Sequence, residues 1–307
     1  MSFNPTQRPL AAAAYVIAAM ALLGLTDNLV ILVTDQAGLW QFHLLRALLG
    51  LPLIMLAAQI TGRSLRPVRV FAVLARSVFV SLAMVLYFGA LAFVTVTQSA
   101  AGLFTSPIWV LLISVIAFGQ RVSGLNIAAV FAGFAGVLLV LQPDASALTP
   151  ALALPMAAGV FYAFGAIATR RYCAQEGALT LLMGFFIAMV IWGALGCLAL
   201  AIWQPPVPAG ADGFLLRGWM PVTAELTGLI AIQALGAVIG VGLIFRAYLL
   251  AEASFIAVFE YALLIFGGFW GWVLWGQGQS APAMVGITLI IASGAFLARA
   301  EHGNTSA

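Results

Sequence analysis

An apolar run long enough to cross a bilayer begins near residue 10, and nine more follow it almost without pause to the end of the chain. Crossing roughly 30 Å of hydrocarbon takes about 20 helical residues. A soluble protein of 307 residues has no single core that would hide so much apolar surface. Hydrophobic residues make up 64% of the sequence and charged residues 7%, against roughly 25% charged in soluble domains. The runs are continuous rather than alternating, which excludes a β-barrel pattern. In lipid each backbone polar group must be satisfied within its own segment, so the runs read as helices. The expected fold is an all-α polytopic membrane protein.

The spans are expected at 10–34, 39–61, 69–93, 98–118, 124–142, 150–171, 179–203, 225–249, 254–275 and 281–299. Gly62 to Pro67 separates the second from the third. Gln142-Pro143-Asp144 closes the fifth. Pro205, Pro206 and Pro208 open the one long connection. The other links are short, so consecutive helices are antiparallel neighbours. The first run is too long for a signal-peptide core and lacks a clear cleavage site. No stretch is left for a separate soluble domain.

Composition narrows function as well. All positive charge comes from arginine, and a net charge of +3 gives no footing for nucleic acid. Cys173 and Cys197 form neither a disulfide framework nor a metal spacing. With no paired histidine, Cys-x-x-Cys or phosphate-binding loop, neither a cofactor nor a metal is expected. A membrane enzyme lacks its catalytic constellation, and a channel lacks a filter-like segment.

Arginine placement sets orientation. Arg8, Arg63, Arg66, Arg69, Arg121, Arg170, Arg171 and Arg299 fall on one side, and only Arg217 on the other, with Asp35, Asp144 and Asp212. The positive-inside rule then places both termini in the cytoplasm, as expected of a bacterial-type inner membrane protein. Trp40, Trp203, Trp219, Trp270, Trp272 and Trp275 fall near the outer boundary, where an aromatic belt anchors a helix bundle.

The two halves echo each other. Ala92-Phe93-Val94-Thr95-Val96-Thr97-Gln98-Ser99-Ala100 and Ala247-Tyr248-Leu249-Leu250-Ala251-Glu252-Ala253-Ser254-Phe255 both interrupt a long apolar helix and restart it near a serine. Five spans is an odd number, so a second copy enters the membrane from the opposite side. The expected architecture is ten transmembrane helices, arranged as two inverted five-helix repeats (1–145 and 146–307) around a central cavity.

Motifs in both halves give a resemblance. Leu45-Arg46-Ala47, Tyr87-Phe88-Gly89-Ala90-Leu91-Ala92 and Ser99-Ala100-Ala101-Gly102-Leu103 leading to Pro107 stand in the first half. Phe245-Arg246-Ala247-Tyr248, Ala253 to Tyr261, Gly286-Ile287 and Ile291-Ala292-Ser293-Gly294 stand in the second. With these in order, the chain resembles EamA-type members of the drug/metabolite transporter superfamily over essentially its whole length. The resemblance implies carriers of amino acids, nucleotide-related metabolites, vitamins, quaternary amines or drugs. One departure is Gly119-Gln120-Arg121, where the family often has Gly-Glu.

Charges at membrane depth mark the candidate site, because they are costly there, about 2.5–3.5 kcal/mol on insertion scales. Asp27 and Arg46 each lie about seven residues from the outer surface on neighbouring helices, roughly 10 Å deep, where a pair or gate is expected. His43 lies one turn from Arg46 and is the candidate for a coupling proton, with plain hydrogen bonding as the alternative. Towards the inner side lie Arg76, Arg246 and Glu260, with Glu260 expected to pair with Arg76 or Arg246. Glu260, Tyr261, Arg76, Tyr87, Trp109, Tyr162 and Gln98 are the substrate-contact candidates, with Trp192 as a further cavity wall. Gly236-x-x-x-Gly240 and Gly267-x-x-x-Gly271 allow close helix approach.

The expected function is a secondary transporter for a small amphipathic solute, an amino acid or related metabolite, with export as the direction the resemblance implies. A vitamin, nucleoside-like or quaternary-amine importer is the alternative. Partners are the solute and membrane lipid, and both monomer and homodimer stay open.

Overall fold

The structure, a computed structural model, describes residues 8–90, 96–142 and 150–305; the side chains of 96–98, 211–212, 297 and 299–305 fall outside that description. Part of the internal-repeat motif (92–95) and Asp144 therefore lie outside the described residues, as does the side chain of Arg299. Among the described residues all regular structure is helical: α1 (Pro9–Leu29), α2 (Ile31–Thr34), α3 (Leu39–Thr61), α4 (Val70–Ala90), α5 (Val96–Leu103), α6 (Ser106–Ile116), α7 (Gly124–Leu141), α8 (Ala153–Tyr172), α9 (Ala178–Trp203), α10 (Ala224–Leu250), α11 (Ala253–Glu260), α12 (Ala262–Trp275) and α13 (Ala281–Thr305), with short 3₁₀ turns at Pro150–Leu152 and Gly210–Gly213.

Among the described residues nine helical segments are long and apolar enough to cross a membrane, and Ala281–Phe296 within α13 is a shorter apolar helix. The sequence encodes their ends locally. Ser123 and Thr223 cap α7 and α10 by accepting hydrogen bonds from Asn126 N and Leu226 N. Gly62 closes α3 at φ 62°, a left-handed conformation that a side chain would strain.

Besides the pause at Val30 between α1 and α2, two apolar segments among the described residues are broken well inside the span. One pauses at Phe104–Thr105 between α5 and α6, the other at Tyr261 between α11 and α12. Pro107 sits in the first turn of α6, where its missing N–H would be unpaired anyway. The break therefore lies just before the proline. Thr105 bridges the break: its hydroxyl donates to Gly102 O at 2.6 Å and accepts from the Trp109 indole Nε1 at 3.0 Å.

The main packing pairs are α4 on α8, α1 on α10, α3 on α9, and α7 on α13. Both halves of the first broken segment, α5 and α6, lie on α8; both halves of the second, α11 and α12, lie on α1. Small residues set the closest approaches. A Cβ at Gly236 would meet Thr26 Cγ2 at 2.3 Å and one at Gly240 would meet Leu23 Cδ2 at 2.7 Å, so this glycine pair brings α10 onto α1 within the chain.

Polar contacts tie the two ends of the bundle. At the arginine-bearing end, Glu176 accepts from Val68 N (3.0 Å) and Arg69 N (2.7 Å) just ahead of α4, and Arg170 pairs with Glu252 at 3.5 Å. Cys173 is buried there, and burial pushes its thiol up to about 11. At the other end Arg217 donates to the carbonyls of Thr34, Ala37 (3.3 Å) and Gly210 (2.7 Å). Gln41 exchanges two bonds with Met220, at 2.7 and 2.9 Å. Trp203, Trp219, Trp272 and Trp275 are exposed, as anchoring requires. Trp270 departs from the expected belt: its Nε1 donates to Ala21 O of α1 at 3.0 Å.

Candidate functional site

A cavity of about 200 Å³ lies at the centre of the bundle. α1, α3, α4, α5, α6, α8, α9, α10, α11 and α12 all contribute to its wall; α7 and α13 do not. Its body is apolar and soft, with Met20, Met84, Phe88, Phe185 and Phe245 among the lining residues. Six polar side chains interrupt it: Asp27, Arg46, Tyr87, Ser106, Tyr162 and Glu260. An apolar chamber with a few convergent polar groups is the usual form of a small-molecule site.

A second cavity, about 550 Å³, is lined by residues including Trp40, Gly89, Leu200 and Trp203 and by no charged side chain. It is larger, yet offers nothing to orient a polar ligand. The central cavity is the candidate site.

Glu260 ends α11 at the break, 6% exposed. Its Oε1 accepts from the Tyr162 hydroxyl at 2.7 Å. The Tyr248 hydroxyl is buried close to both. Arg46 is half-buried on α3; its Nη2 donates to His43 Nδ1 at 3.1 Å and its guanidinium lies 4.9 Å from the Phe42 ring centroid. Because arginine only donates, His43 Nδ1 must be unprotonated, which makes the ring neutral. His43 is 1% exposed, packs edge-on to Phe88 at 4.8 Å, and supports Arg46 from behind rather than lining the cavity.

Two expected pairings do not form. Among the described residues the ion pair within 4 Å is Arg170–Glu252, so Asp27 and Arg46 share the cavity without closing on each other. Asp27 is exposed to that space instead. Glu260 meets neither Arg76 nor Arg246. Arg76, 1% exposed, donates from Nε to Thr169 Oγ1 at 2.9 Å and from Nη1 to Leu181 O at 3.3 Å, and stands 3.5 Å over the Phe245 ring. Arg246 is exposed on the outside of α10.

Of the other candidates, Tyr87 and Tyr162 line the cavity. Tyr261 is fully buried against Phe104 at 6.1 Å, away from the cavity wall. Trp109 is held by Thr105, and Trp192 donates to Ser81 Oγ at 3.1 Å; neither lines the chamber. The Gln98 side chain lies outside the described residues. Phe245 and Ser106 were not anticipated. Phe245 belongs to the same motif as Arg246, but one step along a helix turns a side chain by about 100°.

Residues 10–142 match the EamA-like transporter family. A pseudopaline exporter of Pseudomonas aeruginosa is 24% identical over 259 residues, covering 84% of this chain and 85% of that protein. Riboflavin transporters of Rhizobium johnstonii and Vibrio cholerae are 25% and 27% identical, covering 74% and 70% of this chain and 70% and 67% of theirs. A solved crystal structure superposes with a TM-score of 0.71 at 18% identity, over 93% of this chain and 94% of that one, a likeness of fold.

Proposed function

We propose that this chain, whose residues 10–142 match the EamA-like transporter family, carries a small amphipathic organic solute through the central cavity by alternating access. The relatives are transporters rather than enzymes. The observation that carries the proposal is the cavity itself: an apolar chamber in a membrane-spanning bundle, holding Glu260 and Asp27 against Arg46. Such a set takes a solute with an apolar body, a cationic group for Glu260 and Tyr162, and an anionic group for Arg46.

The architecture behind this is ten spans in two inverted repeats, 1–145 and 146–307. Packing supports it. Exchange each span with the one five later, and the pair α4–α8 becomes α10–α1, while α3–α9 and α7–α13 map onto themselves. The same exchange carries α5 and α6 on α8 into α11 and α12 on α1. Both broken spans, with Thr105 and Glu260 at their breaks, then hold equivalent places. Breaks at a repeat interface are where transporter sites are commonly built. Both termini then lie in the cytoplasm, at the arginine-bearing end of a bacterial-type inner membrane protein.

An amino acid or related metabolite, exported, is the preferred substrate; the pseudopaline exporter among the relatives favours that direction. The riboflavin transporters favour a second reading, a vitamin, nucleoside-like or quaternary-amine metabolite. Counterflow of labelled solutes into proteoliposomes tests the function. Glu260→Gln is expected to lower counterflow by about tenfold or more, since a hydrogen bond to a charged group is worth about 1.5–3 kcal/mol, with extraction and folding unchanged. Unaltered transport in that variant would remove Glu260 from the site.

A further inference from the structure

An arginine buried at membrane depth is costly unless an anion or a dense set of acceptors meets it. Arg76 is 1% exposed and is met by a threonine hydroxyl, a single backbone carbonyl and the face of an aromatic ring. None of these is an anion, and among the described residues no carboxylate lies within ion-pair distance of it. Thr169 accepts from Nε while its own hydroxyl donates to Gly165 O at 2.8 Å, so it meets one of the five guanidinium N–H groups and brings no charge. The guanidinium thus keeps most of its ability to bind a carboxylate, a group it matches bidentately.

Phe245 is what separates that ability from the solute. Its side chain lines the central cavity, and its ring is the surface over which Arg76 stands at 3.5 Å. Tyr162, which also lines the cavity, lies close to Arg76. A cation–ring contact is a weak, reversible cover compared with an ion pair. We propose that Arg76 is a second carboxylate-binding position, screened by the Phe245 ring and reached from the central cavity when that ring turns aside. This rests on the transport reading: a solute whose carboxylate first meets Arg76 on the way in from the arginine-bearing end is handed on to Arg46 as the pathway opens towards the opposite end. Anionic or zwitterionic carboxylates are then the substrate class, and purely cationic solutes are not.

The test replaces the ring with a ligand that carries its own. Benzoate and its neutral isostere benzamide are titrated by calorimetry into full-length protein in phosphatidylcholine nanodiscs. Phe245→Ala is expected to bind benzoate at least tenfold more tightly than benzamide, and at least tenfold more tightly than the unmodified protein binds benzoate. The preference persists in Phe245→Ala/Arg76→Lys and disappears in Phe245→Ala/Arg76→Met. Should the methionine variant fail to fold, phenylglyoxal modification of Arg76 in Phe245→Ala, located by mass spectrometry, decides the same point; benzoate should protect the residue. Equal binding of the two probes, a preference that survives loss of Arg76, an unmodified protein that already binds benzoate as tightly, or no protection each overturns the site. Counterflow is scored separately. Saturable counterflow without a benzoate preference removes the site and keeps the carrier; a benzoate preference without counterflow does the reverse.

Discussion

Removing the hydroxyl of Tyr162 strips Glu260 of the donor that reaches it at 2.7 Å. Tyr162→Phe keeps the ring and the packing, so its effect isolates that bond. We expect solute affinity at the Glu260 end to change by about tenfold or more, read as a shift in half-saturating concentration in counterflow, with thermal stability of the purified protein little altered. Cys173 gives a pH-dependent readout at the same scale. Its thiol is raised from 9.0 to about 11 in the folded protein. Between those values the unfolded chain releases the proton that the folded chain keeps, so stability falls as pH rises. The melting temperature should therefore drop more steeply from pH 9 to pH 11 in the natural protein than in Cys173→Ala. At this scale the sequence located several residues but not their partners. Asp27, Arg46, Tyr87, Tyr162 and Glu260 stand out as polar groups inside apolar runs, and all five line one cavity. That Glu260 meets a tyrosine rather than an arginine depends on which way α4 and α10 face, which charge counting cannot tell. Phe245 was invisible because a phenylalanine in an apolar helix carries no signal of its own.

Helices in lipid associate through close packing rather than hydrophobic exclusion, so single glycines decide contacts between elements. Gly236 lies where a Cβ would meet Thr26 at 2.3 Å, whereas nothing lies within 4 Å of a Cβ at Gly89. Gly236→Leu should separate α10 from α1 and lower thermal stability by about 1–3 kcal/mol, the usual cost of overpacking. Gly89→Ala should leave stability unchanged in the same melting assay, or raise it slightly. Element boundaries were largely legible, because span length is set by the bilayer and caps such as Ser123, Thr223 and Gly62 are local signals. The break at Tyr261 was not, because no proline or glycine marks it. The Gly236 and Gly240 motif was visible as a motif, but whether it joined two chains or two helices of one chain required the fold.

At the scale of the whole molecule, the arginine bias makes a topological prediction. A reporter fused after residue 307 should report the cytoplasmic face, and one inserted at Gly210 the opposite face. Opposite results would reverse the orientation proposed above. The number of apolar runs and their polarity are whole-chain properties that the sequence carries openly. The arrangement of the runs around a chamber is not, since it follows from pairings such as α4 with α8 that lie far apart in the chain.

The contact of α7 with α13 stands apart from all this. A Cβ at Gly136 would meet Gly286 O at 2.7 Å, and one at Gly286 would meet Gly136 O at 2.5 Å, so backbone lies directly on backbone there. Backbone touching backbone at this point, with Ile290, Leu139 and Val140 packed beside it, leaves the two helices little room to slide. If the front and rear halves tilt against each other, that line is the one along which they stay joined. It then serves as the pivot, and the widest excursion falls on the far flank of the bundle.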